Sequence, residues 1–292
     1  VGNAEMPLTN LPFDSHSQGH SDERPRIALT IGGSDPTGGA GIQADLKTFQ
    51  HFGVHGLSVV TAVTVQNTSG VFAKNAVSAQ LVKDQLYALA SDLEIDALKI
   101  GMLTSVDVVQ AVAQFLIQYR IPAVLDPILA SSNGIAFLER DAFEILKDEL
   151  LPLVTIVTPN IPEAEALAGI DIKDDDAVVI AAMHLQDRGT KSVLLKGGHS
   201  QGEESRDLFL DGSRFAEPGH ASLEWISSPR LAKEVHGTGC VLSSAIASGL
   251  AQGKPLGESV IAAKQFIAGM LGHTNALGSG QQLFEYPPFS IN

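Results

Sequence analysis

The chain is short of cysteine and of positive charge, and it lacks any long apolar run. One cysteine, Cys240, among 292 residues excludes an internal disulfide and points to a reducing, cytoplasmic setting. Lys and Arg number 19 against 33 Asp and Glu, a formal net charge of -14. That balance argues against nucleic acid as a partner, because phosphate backbones are met by clustered Lys and Arg. It also means that a bound phosphate must be held locally, by backbone N–H groups, a lysine or a metal. No apolar run reaches the roughly 20 residues of a membrane span. The first residues lack the basic-then-apolar pattern of a signal peptide. What is present suits a packed interior: 44% hydrophobic and 18% charged residues.

One stretch organises the rest. Val235 to Leu250 reads VHGTGCVLSSAIASGL: small residues that open directly into a helical segment. A helix start carries unpaired N–H groups and the positive end of the dipole. Gly237 and Gly239 let an anion approach that backbone, and Thr238 is a candidate cap. Cys240 lies in the first turn, where the dipole favours a thiolate and makes it a candidate base or nucleophile. Taken alone, the run fits a turn, a cap and a small buried thiol equally well.

Along the chain, Val1 to about Pro25 is polar and aperiodic and reads as a disordered extension. Ile27–Ile31 is a short apolar strand, followed by the glycine loop 32–41 and a helix from Ile42 to Phe52. Neither GxGxxG nor a Gly-Lys-Ser/Thr loop is present there. Asp45, in that helix, reads as a dipole partner facing solvent. Further strands are expected at Leu57–Gln66, Ala97–Leu103, Ala123–Pro127, Thr155–Pro159 and Lys191–Leu195. Helices are expected at about 79–93, 106–119 and 140–150, and from Asn160 onward. Asn160 and Glu163 form a capping-box pattern. Two short runs, 206–211 and 214–218, read as a β-hairpin. A last helix covers about 257–273, and the tail is mostly irregular.

Strands alternating with helices predict one domain over 26–292, a mostly parallel sheet with helices on both faces. Ligands of such sheets sit beyond the carboxyl ends of the strands. Those ends carry Asp35, Gln66, Gly101-Met102, Asp126, Asn160 and Lys196, so polar residues collect on one rim.

Several stretches resemble the bacterial hydroxymethylpyrimidine/phosphomethylpyrimidine kinases of thiamine biosynthesis, within the ribokinase-like superfamily. They are ALTIGGSDPTGGAGIQADLKTFQ, VTAVTVQNTSGV, LKIGML, VLDP, VTPNIPEAEAL, VLLKGGH, DLFLDG and HGTGCVLSSAIASGLAQG, in family order from about Ala28 to Gly253. The resemblance implies a three-layer α/β/α sandwich and ATP-dependent phosphorylation of 4-amino-5-hydroxymethyl-2-methylpyrimidine, then of its monophosphate. It implies that Cys240 is the catalytic base, with the amides of Gly237, Thr238, Gly239 and Cys240 as an anion hole. By the same resemblance Lys196 would sit against the ATP phosphates, and Asn160 and Glu163 would bear on Mg2+ and phosphate, with Asp126 in the same metal region. It also implies that Asp45 and Gln66 hydrogen-bond the pyrimidine edge or its hydroxyl, with Gly33 and Met102 packed near the ring and Ile128 covering it. A homodimer is expected by the same analogy. The sequence departs from the family in the loop ILASSNG after Asp126, where Ser132 and Asn133 replace familiar groups, and in the ending HTNALGSGQQLF. Two alternatives stay open: a pyridoxal or pyridoxine kinase of the same superfamily, or a non-catalytic pyrimidine sensor.

Overall fold

A computed structural model describes residues 24–131, 133–197, 204–212, 222–229 and 235–286. The strands of its main sheet are β1 (Ile27–Ser34), β2 (His55–Asn67), β3 (Gly70–Ala76), β4 (Ala97–Ile100), β5 (Ala123–Leu125), β6 (Ile156–Val157), β7 (Val193–Leu195), β8 (Glu204–Asp211) and β9 (Ser222–Pro229). The helices are α1 (Gly41–His51), α2 (Ala79–Ala90), α3 (Val106–Tyr119), α4 (Arg140–Ile145), α5 (Ile161–Ala168), α6 (Asp175–Asp187), α7 (Thr238–Ala251) and α8 (Leu256–Met270). A π turn, Leu146–Leu150, continues α4, and β10 (Thr274–Asn275) pairs with β11 (Leu283–Phe284) in the tail.

The sheet order is β3-β2-β1-β4-β5-β6-β7-β8-β9. The strands from β2 to β7 in that order are parallel; at the edges β3 pairs antiparallel with β2, β8 antiparallel with β7, and β9 antiparallel with β8. Each central strand is buried on both faces, which is why it reads as continuous aliphatic sequence. Period-two alternation then sorts the residues. Leu29, Ile31, Leu98, Ile100, Leu125 and Val157 face a core shared with α2, α3, α5 and α6. Ala28, Ala97, Val124, Ile156 and Leu194 face the other core, with α1, α7 and α8. Smaller strand residues on that second face let α7 lie close to the sheet. Nearly all of α7 is buried, including Ser243, Ser244 and Ser248.

The structure corrects several sequence expectations. The strand paired with β8 is β9, and 214–218 lies outside the described residues, as do most of the N-terminal extension, Ser132, Gly198 and His199. An edge strand (β3) and a helix (α6) were not anticipated, and the tail contains a strand pair. The expected helix at 140–150 changes pitch at Leu146. Gly237, in the left-handed region at φ 80, is the N-cap of α7, so the Thr238 side chain caps nothing.

Candidate active site

The carboxyl ends of the parallel strands meet the N-termini of α1, α5 and α7 around one cavity of about 480 Å³. It is lined by Asp35, Gln66, Met102, Asp126, Asn160 and Lys196, the rim read from the sequence, and by Gly237, Thr238, Gly239 and Cys240. The two glycine loops touch. A Cβ on Gly237 would lie 1.9 Å from the Gly39 carbonyl oxygen, so only glycine permits this approach.

At one end a charged cluster surrounds the start of α7. Lys196 Nζ lies 3.0 Å from Asp126 Oδ1 and 4.0 Å from Glu163 Oε2. A Cβ on Gly239 would fall 3.2 Å from that Nζ and 3.3 Å from Asp126 Oδ2. The lysine is therefore directly beside the backbone at the start of α7. Burial opposes its charge, but Asp126 and then Glu163 outweigh that and hold the ammonium above its usual range. The capping box is present: Asn160 Oδ1 accepts from Glu163 N–H at 2.9 Å, and Glu163 Oε2 accepts from Asn160 N–H at 2.8 Å. Burial, with Asp126 adding repulsion against the Lys196 attraction, pushes the Glu163 carboxyl up to about 7.

Among the described residues no three His, Cys, Asp or Glu side chains cluster as a metal cage. The ammonium of Lys196 stands between the two carboxylates instead. Asp126 Oδ2 and Glu163 Oε1 take no part in the bonds above. That donor set fits a hydrated cation shared with phosphate oxygens, as magnesium prefers, and not an all-protein site.

Cys240 is 6% exposed and lies at the cavity wall. The backbone N–H of Gly41, at the start of α1, favours the charged form of its sulfur. The thiolate expected from the helix position is not what these surroundings favour. Burial pushes the thiol up to about 11; Lys99 and Gly41 pull against that, while Asp45 and Asp126 add to it. Desolvation of a buried sulfur exceeds the dipole's help.

Asp45 is a second correction. It does not face solvent, and it does not line the cavity. It is fully buried behind the wall, where Thr30 and Lys99 donate to Oδ2 at 2.6 and 2.9 Å and Ser244 donates to Oδ1 at 2.7 Å. Burial raises its pKa even against these partners. Lys99 reaches the cavity in its place. Sequence reasoning passed over this lysine, although a charge inside the apolar run ALKI demands a buried counter-ion.

The opposite end is apolar. Met102, Ala62, Val71 and Phe137 form a small cluster with Ile128 and Ile135 against it. A Cβ on Gly33 would sit 2.6 Å from Met102 Sδ, so this glycine makes room for the methionine. Gln66 stands at the edge of that floor, its side-chain amide 2.8 Å from His236 Nε2. Gly33, Gln66, Met102 and Ile128 thus all line this cavity. Two buried groups that sequence reasoning missed, Asp207 and Lys264, pair at 2.7 Å beyond Lys196, and Asp207 also accepts from Gly197 N–H at 3.0 Å.

A three-layer α/β/α sandwich, a glycine-lined helix mouth and a lysine beside it define a ribokinase-like small-molecule kinase. The family model for phosphomethylpyrimidine kinase matches residues 35–285, and the chain belongs to that family. It is 45% identical over 256 residues to a hydroxymethylpyrimidine/phosphomethylpyrimidine kinase of Rhizobium meliloti (strain 1021), covering 87% of this chain and 94% of the relative. A solved phosphomethylpyrimidine kinase of Clostridium difficile 630 superposes with a TM-score of 0.72 at 39% identity, over 84% of this chain and 99% of that one. An ADP complex of Bacillus subtilis pyridoxal kinase superposes with a TM-score of 0.80 at 30% identity, over 90% and 97%. Fold likeness therefore spans both kinase types, while sequence likeness favours the pyrimidine kinases over the pyridoxal alternative.

Proposed function

We propose that this cavity phosphorylates 4-amino-5-hydroxymethyl-2-methylpyrimidine and then its monophosphate, with ATP as donor, the activity that places the family in thiamine diphosphate biosynthesis. The observation that carries the reading is the juxtaposition of Lys196 Nζ, Asp126 and the Gly239 backbone at the wall that also holds Cys240. The ring rests on Met102 and Ile128 beside Gly33, with Gln66 reading its polar edge. The hydroxymethyl arm then points at Cys240. Asp45 acts through Lys99 and makes no contact with the ring.

The hydroxyl oxygen forms a bond to the γ-phosphorus, and the bond from that phosphorus to the β,γ-bridging oxygen breaks, releasing ADP. The alcohol proton passes to Cys240. Charge on the transferred group is met by the first N–H groups of α7 and by Lys196. Cys240 is held as a thiol, so its own proton has to leave to solvent before the sulfur can accept the alcohol's; Lys99 and the Gly41 N–H favour that thiolate. Magnesium, when bound, supplies charge neutralisation on the phosphates, with Glu163, Asp126 and Asn160 as its holders, directly or through water.

The test is Cys240→Ala. Turnover is expected to fall by about 10²–10⁴-fold with nucleotide affinity nearly unchanged. An equal loss of ATP affinity contradicts the assignment of Cys240 as base. The same reading takes 26–292 as one kinase domain and the cytoplasm as its setting, where Cys240 stays reduced. Among the described residues no helix is long and apolar enough to cross a membrane. The expected homodimer is supported by exposed Val63, Val65 and Phe72 on β2 and β3.

A further inference from the structure

We propose that His236 fixes which way round the Gln66 amide faces, and that this orientation selects a ring bearing an amino group beside a ring nitrogen over the same ring bearing an oxo group beside an N–H. The inference rests on the reading of Gln66 as the residue facing the pyrimidine edge. Its argument is a count of protons. His236 Nε2 lies 2.9 Å from Asp35 Oδ2 and 2.8 Å from the near end of the Gln66 amide, which is placed there as Nε2. The far end of that amide lies 3.1 Å from Thr64 Oγ1, which in turn lies 2.9 Å from the Ser34 carbonyl oxygen.

Asp35 already accepts from Thr37 N–H, Thr37 Oγ1 and Ala40 N–H, each at 2.9 Å. Burial would raise its pKa, but His236 and Thr37 outweigh that and hold the carboxyl below its usual range. An ionised Asp35 requires a donor from His236, so Nε2 carries a proton. A protonated ring nitrogen cannot also accept an amide N–H. With the amide nitrogen toward His236, an N–H would point at an N–H, and the single proton of Thr64 would have to serve two carbonyl oxygens. A half-turn of the amide removes both conflicts. His236 Nε2–H then lies between Asp35 and Gln66 Oε1, Gln66 Nε2–H donates to Thr64 Oγ1, and the Thr64 hydroxyl donates to Ser34.

The amide keeps one carbonyl lone pair on the His236 side and one N–H on the Thr64 side. A 4-aminopyrimidine offers an amino N–H next to a ring-nitrogen lone pair, which matches both. The 4-oxo ring offers the reverse pair. It would set oxygen against oxygen and N–H against N–H, and its hydroxymethyl arm, aimed at Cys240, prevents it from turning over.

The experiment compares kcat/KM for the 4-amino substrate and for its 4-oxo analogue, using the full chain with ATP. The wild type is expected to prefer the amino ring by about 10²-fold or more. In His236→Phe the preference narrows by about tenfold, because the amide is free to turn, while KM for ATP stays within about twofold. His236→Gln, which supplies an N–H in place of the imidazole, restores most of the preference. His236→Ala replaces the Phe variant if the latter does not fold. A His236→Phe or His236→Ala enzyme that loses activity equally on both rings overturns the inference. Gln66→Leu separates the two claims: an unchanged KM for the amino substrate there removes the reading of Gln66 itself.

Discussion

Replacing Glu163 by Gln should make the protein more stable above neutral pH while impairing turnover. Glu163 is nine-tenths hidden, with 12% of its side chain exposed, beside a second carboxylate, and its pKa rises from the ordinary 4.5 to about 7. A carboxyl whose folded pKa lies above its unfolded one contributes stability that is fully present below about pH 4.5. That contribution is lost as the pH rises through about 7, because the folded state binds the proton more tightly. From 4.5 to about 7 is two to three decades in proton affinity, or about 3 kcal/mol. The attraction of Lys196 at 4.0 Å is already counted in that balance. Gln keeps an oxygen for the Asn160 N–H, so the capping box survives the change. At about 2 °C per kcal/mol for a chain of this size, the variant should melt about 6 °C above the wild type at pH 8 and level with it near pH 4.5. The assay is calorimetric or fluorescence melting from pH 4.5 to 9, with EDTA and without nucleotide. Parallel melting profiles for the two proteins across that range would refute the reasoning. Turnover of the variant should fall at least about tenfold, since one charge near the phosphates is gone.

Two further outcomes follow from the same geometry. Gly237→Ala forces a side chain into the left-handed region and against the Gly39 carbonyl. It should cost about 1–2 kcal/mol from the backbone alone, lower the melting temperature and reduce turnover together; an unchanged kcat would show that the contact between the two glycine loops is dispensable. Lys99→Met leaves the Asp45 carboxylate buried without its counter-ion, at a cost of about 3–5 kcal/mol. The double variant Lys99→Met/Asp45→Asn should recover much of that in urea unfolding, and a double variant no more stable than the single one would show that the pair is not the source of the loss.

The central strands and most helices were legible because burial on both faces writes uninterrupted aliphatic runs, and because caps such as Ser78, Ser105 and Asn160 mark helix starts. The rim was legible for a related reason: a parallel sheet exposes its strand ends, so Asp126, Asn160 and Lys196 follow from connectivity once the strands are placed. Strand β3 was not, since residues 70–76, GVFAKNA, carry little alternation and pair through a bulge between Val65 and Gln66. Nor was α6, whose acidic first turn and N-cap Asp174 sit on a weakly segregated helix.

By itself the sequence determined the layered α/β architecture, the glycine loops and the types of chemical group available, because period and backbone conformation are local properties. Tertiary structure alone decided how those groups are charged and where they point. Cys240 is held as a thiol by its burial, Asp45 is turned from the cavity toward Lys99, and Gln66 is read by a histidine 170 positions away in the chain. Desolvation and proton sharing depend on neighbours in space, and no spacing along the chain records them.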